Sequence, residues 1–143
     1  MVLPNKAVKA EIFNEKGELL LLQRNKALRG EDNYDLVGGL VEEGEDEIEA
    51  LKREAKEELS VTVEIEHKTG TWSFVRRFDN KTVLVQNYRA RILDGEINLS
   101  NEHSNKVWIK SNEIINYPLK DNSLKDLILK EYPENKELKF RMK

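Results

Sequence analysis

Three glutamates, Glu54, Glu57 and Glu58, stand three and four positions apart on a stretch that reads as a helix. At about 100° per residue they fall within an arc of roughly 100°, beside the apolar stripe of that helix and not opposite it. Glu54 is then a side-chain neighbour of both others, and like charges so placed destabilise a helix. Such a cluster calls for counter-charge. Arg53 can supply one. A hard divalent cation can supply two more, since magnesium takes oxygen ligands and keeps waters and substrate phosphates in its shell. A cation there would draw in a polyphosphate, polarise its phosphorus and acidify a bound water. A crowded carboxylate can meanwhile serve as general base. The competing reading is a solvated acidic face, which is what charge runs commonly are. Gly38, Gly39 and Gly44 lie just upstream and allow the backbone to approach a ligand or metal closely.

The charge balance isolates this segment. The 143 residues carry 24 bases and 27 acids, a net charge of -3, and charged residues make up 36% against a usual share of about 25%. Glu42 to Glu58 alone carries -6, and everything else carries +3. A chain so nearly neutral does not have the basic coat of a general nucleic-acid binder. There are no cysteines and only two histidines, His67 and His103, which excludes disulfides, thiolate chemistry and a His-rich metal centre. No apolar run approaches the roughly 18 residues of a membrane span, and no signal-peptide core is present, so a cytoplasmic protein is expected. The length is that of one domain, 1–143.

The elements that must hold the glutamates follow from period and punctuation. Ala7 to Phe13 reads as a strand, Asn14 to Gly17 as a turn, and Glu18 to Arg24 as a returning strand. Asn25 to Asn33 is a charged loop, and Tyr34 to Val37 a short strand ending at Gly38-Gly39. Asp46 with Glu49 three residues later forms a capping-box pattern, and Ile48, Leu51, Ala55 and Leu59 give the apolar stripe of an amphipathic helix. Strand period follows in Val61 to Glu66, then in Gly70 to Arg77 and Lys81 to Ile92 around an Asp79-Asn80 turn, and again in Lys106 to Ile109. Ser111 to Asn116 reads as one helical turn. A last helix is expected to run from a Ser123 cap, with Asp126 in the box position, to about Tyr132. This order predicts an α/β fold with a mixed sheet between helices.

The glycines, glutamates and arginine together make a recognisable pattern. Gly39 is followed after five residues by Glu45, and after seven more by Arg53-Glu54-Ala55-Lys56-Glu57-Glu58-Leu59-Ser60-Val61. This resembles the box of the Nudix (MutT-like) hydrolases: glycine, five residues, glutamate, seven residues, then Arg-Glu-aliphatic-any-Glu-Glu-any-Gly-aliphatic. Two positions depart from it. Ala55 stands for the bulky aliphatic, and Ser60 for the glycine, where a left-handed cap would strain a serine. The resemblance implies a Nudix fold, a mixed sheet sandwiched between helices (α/β/α). It also implies hydrolysis of a nucleoside diphosphate linked to another group, with Mg2+ or Mn2+ as cofactor. By position, Glu57 and Glu58 are metal ligands and Glu54 a ligand or base. Arg53 orients the glutamates, Glu45 braces the loop, and the Gly39 carbonyl approaches the metal. Glu102, six residues before Trp108, is the candidate for a further ligand or base, with Glu96 as the alternative.

Outside the box, Arg24 is the candidate for substrate phosphates, and Phe74 with Arg76 for a stacked base and its phosphate. Each is balanced by a plain structural reading, as surface charge or as core. The marks of the ADP-ribose and dinucleoside-polyphosphate subgroups, a proline and a tyrosine, are missing around Arg76 to Phe78. Damaged nucleoside triphosphates and nucleotide sugars remain open as substrates. The expected partner is a small nucleotide derivative, and a homodimer stays open. The alternative function is a nucleotide- or metabolite-sensing module with little catalysis. Its usual mark, a decayed glutamate set, is absent here.

Overall fold

The structure, a computed structural model, describes residues 4–25 and 33–132. Its elements are β1 (Lys6–Ile12), β2 (Leu19–Arg24), β3 (Tyr34–Asp35), β4 (Val37–Leu40), α1 (Glu47–Leu59), β5 (Thr62–Arg76), β6 (Lys81–Asp94), β7 (His103–Ile109), a 3-10 turn (Ser111–Asn116) and α2 (Asn122–Glu131). They form a four-stranded sheet ordered β4-β1-β6-β5 and a three-stranded sheet ordered β3-β2-β7. The β1–β6 pair is parallel and the other pairs are antiparallel, so the larger sheet is mixed, as the element order implied. The expected loop Asn25 to Asn33 lies, over 26–32, outside the described residues.

Alternation along β1 divides the interior in two. Val8, Ala10 and Ile12 face α1, where Leu51, Ala55 and Leu59 meet them with Val61, Val63 and Ala90. Ala7 faces the other side, toward Leu124 and Ile128 of α2. Strand β2 sends Leu20 and Leu22 into the first core and Leu19 and Leu21 into the second, which explains its unbroken leucine run. Ala55, fully buried, lets α1 settle close to the sheet. Among the described residues no helix is long and apolar enough to cross a membrane.

Polar residues enter the second layer as a satisfied set. Glu11, at 0% exposure, accepts from Thr69 Oγ1 at 2.7 Å, Asn87 Nδ2 at 2.8 Å and the Tyr132 hydroxyl at 2.7 Å. Asn87 in turn accepts from Trp72 Nε1 at 2.8 Å. Four chain segments are thereby fixed on one buried carboxylate.

Three expectations are corrected. The strands expected at 61–66 and 70–77 are one strand, β5, because register shifts at Ile65/His67 and Lys68/Gly70 each absorb a residue without ending the pairing with β6. Gly38 and Gly39 lie inside β4, opposite Lys9 and Val8, and do not follow a strand. The chain instead leaves the smaller sheet at Leu36 and enters the larger one. Helix α2 starts at Asn122 with Asp121 as its extended N-cap, whose carbonyl accepts from the Lys125 N–H at 3.2 Å, and it has no side-chain cap bond.

The cap of α1 conforms to expectation at both ends. Asp46 and Glu49 close a full capping box. Ser60 is left-handed, with φ 62° and ψ 30°. A side chain there carries a penalty of about 1–2 kcal/mol that glycine escapes, partly offset by the extra freedom glycine has when unfolded. Ser60→Gly is therefore expected to stabilise the protein by about 0.5–1 kcal/mol. Urea unfolding measures this, and an unchanged or lower midpoint would contradict it.

Candidate active site

Two backbone features bring α1 against β4. The Gly38 N–H donates to Glu58 Oε2 at 3.0 Å, and Arg53 Nη2 donates to the Leu40 carbonyl at 3.1 Å. Gly39 carries no side chain where one would not fit: a Cβ there would lie 2.6 Å from the Glu54 carboxylate. Glu54 thus rests on bare backbone.

Arg53 is the hub. Its Nε and Nη2 bind the two oxygens of Glu45 at 2.7 and 3.0 Å, and Nη1 reaches Glu54 at 2.8 Å and Glu57 at 3.3 Å. The fork geometry of a guanidinium suits such a fan, and a lysine could not reproduce it. The hydrogen bonds from Arg53 hold the Glu45 carboxylate below its usual range, and the same bonds raise the arginine. Glu45 also accepts from the Glu42 N–H at 2.9 Å, so the loop before α1 is tied to the hub.

Glu58 is the buried member. Burial pushes it up to about 9, with Lys9 opposing and a hydrogen bond to Glu54 adding to the rise. Such a carboxyl sheds its proton readily only beside a positive charge. The residues after β6 are tied to the same end of α1, where the Ser100 N–H donates to the Glu58 carbonyl at 3.0 Å. Strand β7, paired with β2, then delivers His103, with Glu102 in the turn just before it. One donor atom each from Glu58, Glu102 and His103 lies within 4.8 Å of the others. Glu96 is exposed and stands outside this group.

A layer of buried charge adjoins the glutamates. Lys9 Nζ donates to Asp35 Oδ2 at 2.9 Å, and Arg24 Nη1 stands 3.9 Å from the same oxygen. Burial works against the Asp35 charge, but Lys9, the Leu36 N–H and Lys120 together outweigh it and hold the carboxyl low. The Lys120 ammonium, near Arg24 and Asp35, is pushed down by desolvation, with Arg24 adding to the fall. Arg24 is only 8% exposed, and its Nε is buried with no partner. Lys9, Asp35 and Lys120 escaped the sequence reading. One signal was available: Lys9 and Glu11 alternate with Ala7 on a face of β1 that should be apolar.

The other substrate candidates stand apart from the glutamates. Phe74 is half-buried on the second core beside Trp72, with Lys120 Nζ 5.8 Å from its ring centre. Arg76 spends its guanidinium at the hairpin tip, on Asp79 at 2.8–3.2 Å and on the Pro4 carbonyl at 2.8 Å.

The donor set fits a hard divalent cation. It offers carboxylate oxygens on one helix, a glycine with space for close approach, a buried carboxyl without a full counter-charge, and a second group of donors across from them.

Comparison with known proteins adds to this picture. Residues 3–131 match the family model described as NUDIX domain. An uncharacterized Nudix hydrolase of Listeria innocua is 42% identical over 65 residues, 44% of this chain. That match spans 38% of the relative's own length. The CTP pyrophosphohydrolase of Escherichia coli is 28% identical over 78% of this chain and 81% of its own. Among solved structures, a MutT protein from Methanosarcina mazei superposes with a TM-score of 0.79 at 29% identity, covering 95% of this chain and 99% of that one.

Proposed function

The chain belongs to the Nudix family of hydrolases, and from that premise we propose that it is a metal-dependent pyrophosphohydrolase cleaving the diphosphate bond of a nucleoside diphosphate joined to another group. One observation carries the reading: Arg53 gathers Glu45, Glu54 and Glu57 into a single fan while Glu58 is buried against Gly38.

Glu54, Glu57 and Glu58, with the Gly39 carbonyl and Glu102, would hold Mg2+ or Mn2+. The bound ion supplies Lewis acidity toward phosphoryl oxygens and a more acidic water. The chain's own residues do the rest. Arg53 fixes the glutamates in register, so their oxygens need little reorganisation when charge develops. Glu54, Glu57 or Glu102 takes the proton of the attacking water. Arg24, with Lys9 and Lys120 nearby, receives the anionic phosphates, and burial of the Arg24 and Lys9 charges strengthens their pull. Water adds to one phosphorus, the bridging P–O bond breaks, and two phosphate-bearing products leave. The substrate is a small nucleotide derivative; a damaged nucleoside triphosphate and a nucleotide sugar are the two classes to try first. A chain without cysteine suits the cytoplasm.

The test is a panel of nucleoside triphosphates, nucleotide sugars and other diphosphate-linked nucleosides, each with Mg2+ or Mn2+. The expected result is release of a nucleoside monophosphate from at least one member, abolished by EDTA. Undiminished turnover in EDTA would overturn the metal-dependent mechanism. Tight binding with no turnover across the panel would favour a sensing module.

A further inference from the structure

We propose that His103 supplies an imidazole nitrogen to a divalent cation held jointly with the Glu58 and Glu102 carboxylates, so that the centre is a mixed nitrogen–oxygen site. The proposal rests on the reading of the glutamates as a cation site, and extends that site to a residue outside the helix.

Three observations converge on it. Donor atoms from Glu58, Glu102 and His103 lie within 4.8 Å of one another. The His103 side chain is 8% exposed, and its Nδ1 is buried with no hydrogen-bond partner. Its Nε2 stands 3.8 Å from Glu58 Oε1, too far for a hydrogen bond. A buried polar atom left unpartnered calls for an explanation, and a cation taken by one of the two ring nitrogens is one of the few available. The backbone arranges the approach. Gln23 pairs with Asn105 and Arg24 with His103, which leaves Ser104 as an extra residue in β7. Such a bulge re-aims the side chains beside it.

The chemistry follows from the added nitrogen. An imidazole nitrogen has a lone pair to give a cation. Magnesium prefers an all-oxygen shell, whereas the affinity of a nitrogen-bearing site for first-row transition metals rises from manganese through cobalt. His103 should therefore bias the centre toward Mn2+ or Co2+ over Mg2+.

Pulsed electron paramagnetic resonance of the Mn2+-loaded full chain tests this without reference to turnover. The expected result is a 14N modulation in wild-type protein that changes to the 15N pattern on labelling with 15N-histidine. It should persist in His67→Gln and vanish in His103→Gln. The affinity for Mn2+ should fall about tenfold in His103→Gln, and that for Mg2+ by less. The labelled wild type together with His67→Gln decides the question even if His103→Gln does not fold. Bound manganese with no nitrogen modulation, or modulation that follows His67 instead, overturns the proposal and leaves the glutamate reading intact. Wild-type protein that binds no manganese overturns both.

Discussion

Glu57→Gln is expected to lower turnover by about a thousandfold, roughly 4 kcal/mol of transition-state stabilisation, with almost no effect on folding. The side chain is 58% exposed, and its contact with the protein is the 3.3 Å bond from Arg53. Surface changes of this kind usually stay within about 0.5 kcal/mol in stability. The substitution keeps size and shape and removes one negative charge from the proposed cation site. Loss of that charge weakens hold on the ion and its screening of the substrate phosphates together. Kinetics at saturating Mg2+, with a thermal melt of the same sample, separate chemistry from folding. Glu43→Gln is the control: it is exposed on the same acidic segment and lies outside the Arg53 fan. If Glu57→Gln retains full activity, the assignment of the site is wrong.

Gly38→Ala should act on the fold. Its φ of +154° lies in a region closed to side chains, and a Cβ would sit 2.0 Å from the Val8 carbonyl oxygen and 2.9 Å from Lys9 Cα. Both obstacles are backbone in a strand paired on both edges, so neither can step aside. Backbone strain of about 1–3 kcal/mol adds to overpacking of similar size. A total loss of about 3 kcal/mol or more is expected. The Gly38 N–H bond to Glu58 would be lost with it. Gly17→Ala offers the comparison: φ is +74°, yet nothing lies within 4 Å of its added Cβ, so only about 1 kcal/mol is at stake. Denaturant midpoints of the two variants test the contrast, and equal small losses would refute the close-approach argument.

Residue types at short spacing were legible where one element carried the whole constraint. The Asp46/Glu49 box, the Leu51-Ala55-Leu59 stripe and the left-handed Ser60 are local events, and a local reading reaches them. The same holds for Arg53 beside Glu54 and Glu57 on one helix. What escaped depends on pairing across distance. Lys9 and Asp35 meet only because β1 and the β3–β4 crossing are brought together, and nothing in either segment names the other. Strand β5 looked broken because its two bulges are a property of the ladder with β6, which no single strand displays. Ser123 looked like a cap because its type fits, but the preceding Asp121 already had the extended backbone that starts a helix. Phe74 and Arg76 were grouped by adjacency, whereas Phe74 packs toward Lys120 and Arg76 turns to the hairpin tip.

The central position of β1 has a consequence for how the chain comes into being. Lys6 pairs with Leu84, so β1, which β4 joins early, waits for its parallel neighbour until almost eighty residues later. At about 5–20 residues per second that is a delay of several seconds. The acid-rich helix emerges during this interval with only the β1–β4 pair to lie on, before β6 completes the sheet. Contacts of such wide separation are also slow to close once the chain is free. The last pieces, Glu102 and His103, arrive later still, when residues 103–109 are laid against β2. Competence for chemistry is therefore acquired in one late step, and a nascent chain halted before residue 100 would carry the whole glutamate helix without a finished centre.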